Sequence, residues 1–138
     1  MNLDKAKTLA ERLIKEKNLD YTFFFDTSIS RFGRCNNTRK IISLSQELTL
    51  LNNEEKVRSV ILHEIAHALT KQGHTQEFYS KCIELGISPQ RCYGREVLRP
   101  TFKWLYNCPK GCIKGGRYKR LKRAICPKCR SKIKWTKL

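Results

Sequence analysis

Residues 60–69 read Val-Ile-Leu-His-Glu-Ile-Ala-His-Ala-Leu, a mostly apolar run that contains the pattern H-E-x-x-H. An apolar run of this length predicts a buried helix. Residues four apart on an α-helix lie on one face, a turn apart, so His63 and His67 can bind one metal ion together. Glu64 follows the first histidine, where a carboxylate can accept a proton from water and pass it on. The pattern therefore predicts a catalytic zinc site with Glu64 as a base and not a ligand.

The third metal ligand has to come from outside this run, and His74 is the leading candidate. Gly73 precedes it and could end the helix with a positive φ angle, which would turn the chain back toward the metal. All three histidines of the chain fall within residues 63–74, which favours a shared role. A glutamate of the following segment, Glu77 or Glu84, is the alternative third ligand. Three protein ligands leave a fourth position for water, as is typical of catalytic zinc.

Two other interpretations of the H-E-x-x-H pattern can be compared with the rest of the chain. A metzincin requires a glycine three residues after the second histidine, a further histidine three residues later and a distant methionine turn. Here residue 70 is threonine, the third histidine comes one residue late, and the only methionine is Met1, so this class is excluded. The other interpretation is a buried amphipathic helix that carries two histidines without a metal, and the third histidine nearby disfavours it.

The length of 138 residues provides for one modest domain and a small appendage, and a hydrophobic content of 40% is sufficient for a core. Residues 1–7 lack the apolar core of a signal peptide, and no apolar run could span a membrane. We therefore expect a cytoplasmic protein, or one that accompanies DNA in a nucleoid or nucleus, and not a secreted one. In such a compartment the seven cysteines indicate metal ligands or free thiols more than disulfides.

The net charge of +17 is concentrated near the C-terminus. Residues 108–138 contain twelve Lys or Arg and no acidic residue, whereas the first 107 residues contain seventeen basic and twelve acidic residues. Such a cationic segment predicts a polyanionic partner, most plausibly nucleic acid. A basic tail retained for solubility is the alternative, although solubility does not require one-sided charge at this density.

Hydrophobic spacing and turn residues predict an α+β fold for residues 1–100. Helices are predicted over residues 3–17, from Asn52 or Asn53 to about Lys71, and from Thr75 to Gly86, with a short helical turn over 46–51. Strands are predicted over residues 21–25, 29–34 and 40–45, and their short connections favour a small, largely antiparallel sheet. Gly33 indicates a bulge or a site of close approach. Residues 86–101 read as a loop that separates the two parts of the chain.

The C-terminal part contains two similar cysteine pairs, Cys108-Pro-Lys-Gly-Cys112 and Cys126-Pro-Lys-Cys129, separated by thirteen residues. Four thiolates in this arrangement predict a closed, structural zinc site, and the metal would supply most of the folding free energy of so short a segment. A redox-active C-x-x-C pair is the competing interpretation, but the thioredoxin-like context that it needs is absent.

Cations and aromatic residues lie between and beyond the cysteine pairs. Cations suit phosphates, and aromatic rings can stack on unpaired bases, so we expect contacts to single-stranded or partly unpaired DNA without sequence preference. The candidate DNA-binding residues are Lys114, Arg117, Tyr118, Lys119, Arg120, Lys122, Arg123 and Trp135. Cys82 is expected in the core, and no role is assigned to Cys35 or Cys92.

Taken together, these motifs resemble the SprT-like zinc metalloprotease family, which includes the Spartan proteases. The matching segments are Gly33-x-Cys35, Ile42-Ser43-Leu44-Ser45, residues 60–68, Gly73-His74-Thr75-Gln76-Glu77-Phe78, and Tyr106-Asn107-Cys108. The resemblance covers nearly the whole chain. It departs from the family pattern at Thr75, where a glycine is usual, in a shorter loop between His67 and His74, and in three residues instead of two within the first cysteine pair.

The resemblance implies that His63, His67 and His74 bind zinc and that Glu64 is the catalytic acid and base. Spartan-type relatives cleave proteins attached to DNA, including covalent DNA–protein crosslinks, and the basic tail independently agrees with such a role. We therefore predict a minimal zincin-like metalloprotease domain over residues 1–100 and a basic four-cysteine zinc ribbon over 101–138.

The predicted protein is a monomer with one catalytic and one structural Zn²⁺, whose partners are DNA and DNA-bound protein substrates. The alternative is a non-catalytic nucleic-acid-binding adaptor whose first metal site is only structural. Glu64 distinguishes the two hypotheses, because a structural site does not need a carboxylate at that position.

Overall fold

Residues 1–88 and 97–138 are described by the structure, a computed structural model, and the chain forms two compact units, Met1–Pro100 and Thr101–Leu138. Residues 89–96 of the predicted loop lie outside this description. The first unit contains helix α1 (Leu3–Glu16), strands β1 (Thr22–Asp26), β2 (Gly33–Asn36) and β3 (Ile41–Ser45), and helices α2 (Gln46–Leu51), α3 (Glu54–Thr70) and α4 (Gln76–Glu84). The α+β class is confirmed. None of the described helices is long and apolar enough to cross a membrane.

The sheet of the first unit is mixed, which corrects the expectation of a largely antiparallel sheet. Its strand order is β1-β3-β2; β2 and β3 form an antiparallel hairpin, but β1 pairs with β3 in parallel. The reason is burial: Ile42 and Leu44 of β3 are completely buried, so the most buried strand occupies the centre. The polar strand β2 becomes an edge. The chain therefore passes from β1 at one edge of the sheet to β2 at the other edge, and then returns as β3 between them.

The sheet packs against α1 and α3 to form the core. Helix α1 contributes one apolar face, and its buried residues are Ala6, Leu9, Ala10, Leu13 and Ile14. They belong to the same cluster as Phe23 of β1, Ile42 of β3 and Val60 of α3. Each large aliphatic side chain buried in this way contributes about 1.5–3 kcal/mol. The core therefore fixes the orientation of α3, the helix that carries the H-E-x-x-H pattern.

Helix α3 begins and ends at identifiable caps. The side chain of Asn53 accepts a hydrogen bond from the Lys56 N–H (3.0 Å), and Glu54 and Glu55 occupy the first turn, where the helix dipole favours acids. At the other end Lys71 adopts a left-handed conformation (φ 54°), and its N–H bonds to the carbonyl of His67 (2.8 Å). The expectation that Gly73 ends the helix with a positive φ is wrong, because the helix has already turned two residues earlier.

The second unit is a three-stranded antiparallel sheet that carries the four cysteines. Strands β4 (Trp104–Asn107), β5 (Lys114–Arg117) and β6 (Lys134–Lys137) are arranged in the order β5-β4-β6. Both cysteine turns close with the same backbone bond: Cys108 N–H donates to Ile113 O (2.9 Å), and Cys126 N–H donates to Ser131 O (2.8 Å). The internal repeat seen in the sequence is therefore a repeat of structure.

Candidate active site

Three imidazole rings converge at the C-terminal end of α3. His63 and His67 lie on α3, and His74 lies in the turn before α4. One ring nitrogen of each lies within 4.8 Å of those of the other two, and the ring centroids are 4.9–5.8 Å apart. His63 is buried, His67 is half-buried and His74 is exposed. Three nitrogen donors with one side accessible to solvent fit an open zinc site better than a closed structural one.

Gln72 orients the second histidine and the turn that carries the third. Its backbone carbonyl lies 2.8 Å from Nδ1 of His67. A protonated Nδ1 donates to this carbonyl and leaves Nε2 of the ring for a metal. The side chain of Gln72 accepts a hydrogen bond from the Thr75 hydroxyl and donates to Glu77 (2.8 Å). One residue therefore connects a candidate ligand to the N-cap of the next helix.

The two glutamates proposed as alternative third ligands have other partners. Glu77 accepts the hydrogen bond from Gln72, and Glu84 forms an ion pair with Lys81 (2.9 Å). Neither belongs to the histidine cluster that the described residues form. The arrangement therefore favours His74 as the third ligand.

Phe78 of α4 forms an apolar floor beneath the imidazole rings. Its ring stacks on His67 at a centroid distance of 4.1 Å and an interplanar angle of 16°. It also lies 5.0 Å from the ring of His63 and 5.2 Å from that of His74. Phe78 is completely buried. Phe78 therefore contacts all three candidate ligands.

Burial keeps the histidines of α3 in the form that binds metals. It lowers the pKa of His63 to about 4, with smaller contributions from the neighbouring His67 and His74. Burial also lowers the pKa of His67, although its hydrogen bond to Gln72 opposes the shift. Both rings are therefore neutral near pH 7, as metal ligation requires.

Glu64 projects from α3 toward the edge strand β2 and is 6% exposed. It packs against Gly33: a Cβ atom at Gly33 would lie 3.1 Å from Glu64 Cγ and 2.8 Å from Val60 Cγ1. The close approach expected at Gly33 is confirmed, and its partner is the candidate catalytic carboxylate. Burial raises the pKa of Glu64 to about 8, and the positive charge of Arg31 opposes this shift. A bound cation would also favour the carboxylate.

Asn37 is a site residue that the sequence analysis missed. Its side-chain amide donates to the backbone carbonyl of His67 (3.2 Å), and its side-chain oxygen accepts from the Tyr21 hydroxyl (2.7 Å) and the Cys35 thiol (3.4 Å). Asn37 lies in the connection between β2 and β3. Because the contact spans thirty residues of chain, no local pattern could have indicated it.

A cleft of about 320 Å³ opens onto the histidines and Glu64. Among the described residues, it is lined by Ser30, Arg31, Phe32, Gly33, Arg34, Cys35, His63, Glu64, His67, His74 and Arg99. Cys35, to which the sequence assigned no role, therefore lies in the wall of this cleft. Burial and the nearby Glu64 raise its pKa to about 12 and keep the thiol protonated. Cys82 is buried, as expected, and Cys92 lies outside the described residues.

The second candidate metal site comprises Cys108, Cys112, Cys126 and Cys129, whose sulfur atoms lie within 4.8 Å of one another. The sulfur atoms of Cys108 and Cys129 are 3.4 Å apart. A hydrogen bond with Ser131 lowers the pKa of Cys129 to about 6, and the bond with Cys129 raises the pKa of Cys112 to about 12. Four sulfur donors, two of them buried, fit a closed tetrahedral zinc site.

The candidate DNA-binding residues lie in the same unit as the four cysteines. Tyr118 and Trp135 are half-buried. The six cations are exposed: Lys114, Arg117, Lys119, Arg120, Lys122 and Arg123. The ring of Trp135 lies 5.7 Å from that of Tyr106, and the guanidinium of Arg120 lies 5.8 Å above the ring of Trp104. Because they are half-buried, Tyr118 and Trp135 present only part of their side chains to solvent.

Gly115 and Gly116 of β5 support aromatic rings, a role that the sequence analysis did not assign. A Cβ atom at Gly115 would meet the ring of Tyr106 at 2.8 Å, and one at Gly116 would overlap the ring of Phe102. Phe102 also lies 5.0 Å from Tyr118. Consecutive glycines within a strand are the signal that could have indicated such a close approach.

Comparisons with known proteins agree with this architecture. Residues 4–94 match the SprT-like family. The fold is similar to the metallopeptidase zymogen jannalysin of Methanocaldococcus jannaschii, with a TM-score of 0.51 and 15% identity over 67% of this chain and 85% of that one. It is also similar to the metallopeptidase zymogen abylysin of Pyrococcus abyssi, with a TM-score of 0.50 and 17% identity over 58% of this chain and 78% of that one. No curated protein sequence matches significantly.

Proposed function

Because the chain belongs to the SprT-like family, we propose that it is a zinc-dependent metalloprotease that hydrolyses peptide bonds of DNA-associated or DNA-crosslinked proteins. One observation carries the proteolytic part of this proposal. Three imidazole nitrogens lie within 4.8 Å of one another at a cleft that the buried Glu64 also lines. A structural metal site would need neither the cleft nor the carboxylate.

His63, His67 and His74 would hold a catalytic zinc ion, which supplies Lewis-acid polarisation of the scissile carbonyl and lowers the pKa of a water molecule to about 7. Glu64 is the general base in this proposal. Its carboxylate removes a proton from the attacking water and then delivers that proton to the departing amine. The close packing of Gly33 against Glu64 restricts the positions that this carboxylate can adopt. The Gln72 carbonyl accepts the hydrogen bond of Nδ1 and would leave Nε2 of His67 available to the zinc ion.

A second zinc ion bound by Cys108, Cys112, Cys126 and Cys129 has a structural role. The unit over residues 101–138 buries few apolar side chains besides the cysteines, with Ile133 in the same cluster. Metal binding would therefore supply much of the free energy that holds its three strands together.

The charge of the second unit supports DNA as the partner. Twelve cations and no acids lie within residues 108–138, and the cations between the cysteine pairs are exposed. Each phosphate contact releases counterions, so this unit would concentrate the enzyme on DNA and expose DNA-bound proteins to the cleft. The half-buried Tyr118 and Trp135 offer ring surface for unpaired bases, which favours single-stranded or partly unpaired DNA.

The decisive experiment measures cleavage of a DNA-binding protein by the purified, zinc-loaded chain, with and without single-stranded DNA. We expect cleavage that requires Glu64 and is stimulated by DNA. Glu64→Gln should abolish cleavage while zinc content and DNA affinity remain unchanged. Glu84→Gln makes the same chemical change at an exposed position of α4 and should retain full activity.

Each other result has a specific meaning. Loss of zinc or of the fold in Glu64→Gln would contradict the role of Glu64 as a base. Cleavage without any effect of DNA would remove the DNA-directed part of the proposal. If zinc occupies both sites and no protein is cleaved under either condition, the non-catalytic adaptor becomes the better hypothesis.

A further inference from the structure

Three arginines line the cleft beside the candidate catalytic centre: Arg31, Arg34 and Arg99. The only carboxylate among the described lining residues is Glu64, to which the proposed chemistry assigns the transfer of a proton. A zinc ion would add two further positive charges. The wall that faces a bound peptide is therefore strongly cationic, in a unit whose charge is otherwise nearly balanced.

The backbone and side-chain contacts around these arginines restrict their positions. The Arg31 N–H donates to the Ser28 hydroxyl (3.2 Å), and the adjacent Phe32 is buried in the core. Arg34 belongs to the edge strand β2, opposite Ser43 of β3. The guanidinium of Arg99 donates to the carbonyl of Ser30 (3.0 Å). The backbones of Arg31 and Arg34 and the guanidinium of Arg99 are therefore held by the first unit itself, around one opening.

Among the described residues, four cations elsewhere in the first unit form ion pairs, whereas Arg31 and Arg34 do not. Lys7 pairs with Glu11, Arg12 with Glu16, Lys40 with Asp20 and Lys81 with Glu84. Within residues 1–88 and 97–138, Arg31 and Arg34 take part in none of the ion pairs. Arg31 acts on Glu64 only through its charge. Both guanidinium groups can therefore donate hydrogen bonds to a ligand that enters the cleft.

We propose that Arg31, Arg34 and Arg99 make the cleft selective for substrates with aspartate or glutamate next to the scissile bond. This inference rests on the proposed proteolytic function. A guanidinium matches a carboxylate with two parallel hydrogen bonds, and such charge-assisted bonds strengthen in a partly enclosed cleft. The cleft has a volume of about 320 Å³, which suits a peptide carboxylate better than a nucleic-acid strand. The second unit already offers exposed cations for phosphates.

This selectivity would complement DNA targeting. Segments of a DNA-bound protein that contact phosphates are basic and covered, whereas its acidic segments face solvent. A cationic cleft would therefore direct cleavage to the segments that remain accessible on DNA.

The test uses the full, zinc-loaded chain and a set of fluorogenic peptides that differ only in the residues flanking the scissile bond. These residues are Asp or Glu, their amides Asn or Gln, or Lys, and the same single-stranded oligonucleotide is present throughout. We expect kcat/KM to be at least about tenfold higher for acidic than for lysine peptides, and the ratio to shrink as ionic strength rises.

Charge-reversal variants test which arginines cause the preference for acidic peptides. Arg31→Glu and Arg34→Glu should each lower the acidic-to-lysine ratio by about tenfold, mainly through KM. Arg31→Glu should also lower kcat for every peptide, because the charge of Arg31 acts on Glu64, and the ratio cancels this common loss. Arg58→Glu, an exposed position on α3, makes the same charge change away from the cleft and should leave the ratio unchanged. Zinc content and melting temperature identify any variant that has lost its fold, and Arg31→Gln and Arg34→Gln then provide milder substitutions.

Equal cleavage of all the peptides would overturn the inference while leaving the proteolytic function intact. The selectivity would also be refuted if Arg31→Glu and Arg34→Glu weakened oligonucleotide binding without changing the acidic-to-lysine ratio, since the arginines would then contact DNA. Failure to cleave any peptide or protein, with both metal sites filled, would overturn the proposed function itself.

Discussion

The side-chain amide of Asn37 donates a hydrogen bond to the backbone carbonyl of His67 at 3.2 Å. The same carbonyl accepts the Lys71 N–H that closes the last turn of α3 (2.8 Å). The turn between β2 and β3 is therefore connected to the residue that carries the second candidate metal ligand. Asn37 itself is held by the hydroxyl of Tyr21, so two residues outside α3 restrict the position of His67.

Replacing Asn37 should weaken the metal site more than the fold. In Asn37→Ala the His67 carbonyl keeps its bond to Lys71 but loses the restraint from the sheet, and we expect about a tenfold loss of zinc affinity. Competition with a chromophoric chelator measures this affinity. Tyr21→Phe removes only the support of Asn37 and should have a smaller effect in the same direction. Unchanged zinc affinity in Asn37→Ala would show that the hydrogen bond does not position His67.

Gly33→Ala should disturb the catalytic carboxylate directly. The new methyl group would lie 2.8 Å from Val60 Cγ1 and 3.1 Å from Glu64 Cγ, so one of these groups has to move. Overpacking of this kind costs about 1–3 kcal/mol, and we expect a large loss of kcat. Gly73→Ala is the matched control, because nothing lies within 4 Å of its Cβ position. Urea unfolding and peptide cleavage measure both effects; equal activity of the two variants would contradict this role of Gly33.

The zinc-free protein should lose stability as pH rises toward 8 because of Glu64. Its pKa is about 8 in the folded protein and near 4.5 when the chain is unfolded, so the folded state holds the proton more tightly. The contribution of Glu64 to the free energy of unfolding is fully present below about pH 4.5. It is lost progressively as the pH rises to about 8. Between pH 6.5 and 8 the loss is on the order of 1–2 kcal/mol.

Urea unfolding in the presence of a chelator measures this slope, and Glu64→Gln provides the comparison. Glutamine cannot ionise, so the variant should lack the Glu64 contribution over this interval. The lowered pKa of His63 affects stability only between about pH 4 and 6.5, which separates the two groups. Parallel curves for both proteins above pH 6.5 would refute the assignment.

Removing one cysteine of the four-sulfur cluster should halve the zinc content. Cys126→Ser deletes a buried donor, and we expect one zinc ion per chain where the native protein would hold two. Cys35→Ser removes a thiol outside the cluster and should retain both ions. Elemental analysis of the purified proteins gives the stoichiometry directly. Two ions in Cys126→Ser would exclude the cluster as a closed four-sulfur site.

Affinity for single-stranded DNA should fall steeply with salt, and the cations between the cysteine pairs should account for the slope. Each phosphate contact contributes about 0.7 to the slope of log K against log salt for single strands. We expect Lys119→Ala and Lys122→Ala each to reduce the slope by roughly this amount, whereas Lys5→Ala on α1 should not. Fluorescence anisotropy across a salt series provides the data. A slope that remains native in both variants would exclude these lysines as phosphate contacts.

The features that the sequence predicted well depend on short-range spacing. A spacing of four residues places His63 and His67 on one helical face whatever surrounds the helix, and the cysteine repeat predicts two similar turns in the same way. The position of β3 between β1 and β2 depends instead on which strand buries most apolar surface, and local turns do not indicate this. Asn37 contacts His67 across thirty residues, so its role becomes visible only when the sheet is assembled.

The floor that Phe78 forms has a kinetic consequence. Its ring covers the histidines from the side of the core, and the cleft is the side on which they face solvent. An ion would therefore enter and leave through the same opening as the substrate. A peptide inhibitor lodged in that opening should trap the ion, so that exchange with isotopically labelled zinc slows when the cleft is occupied.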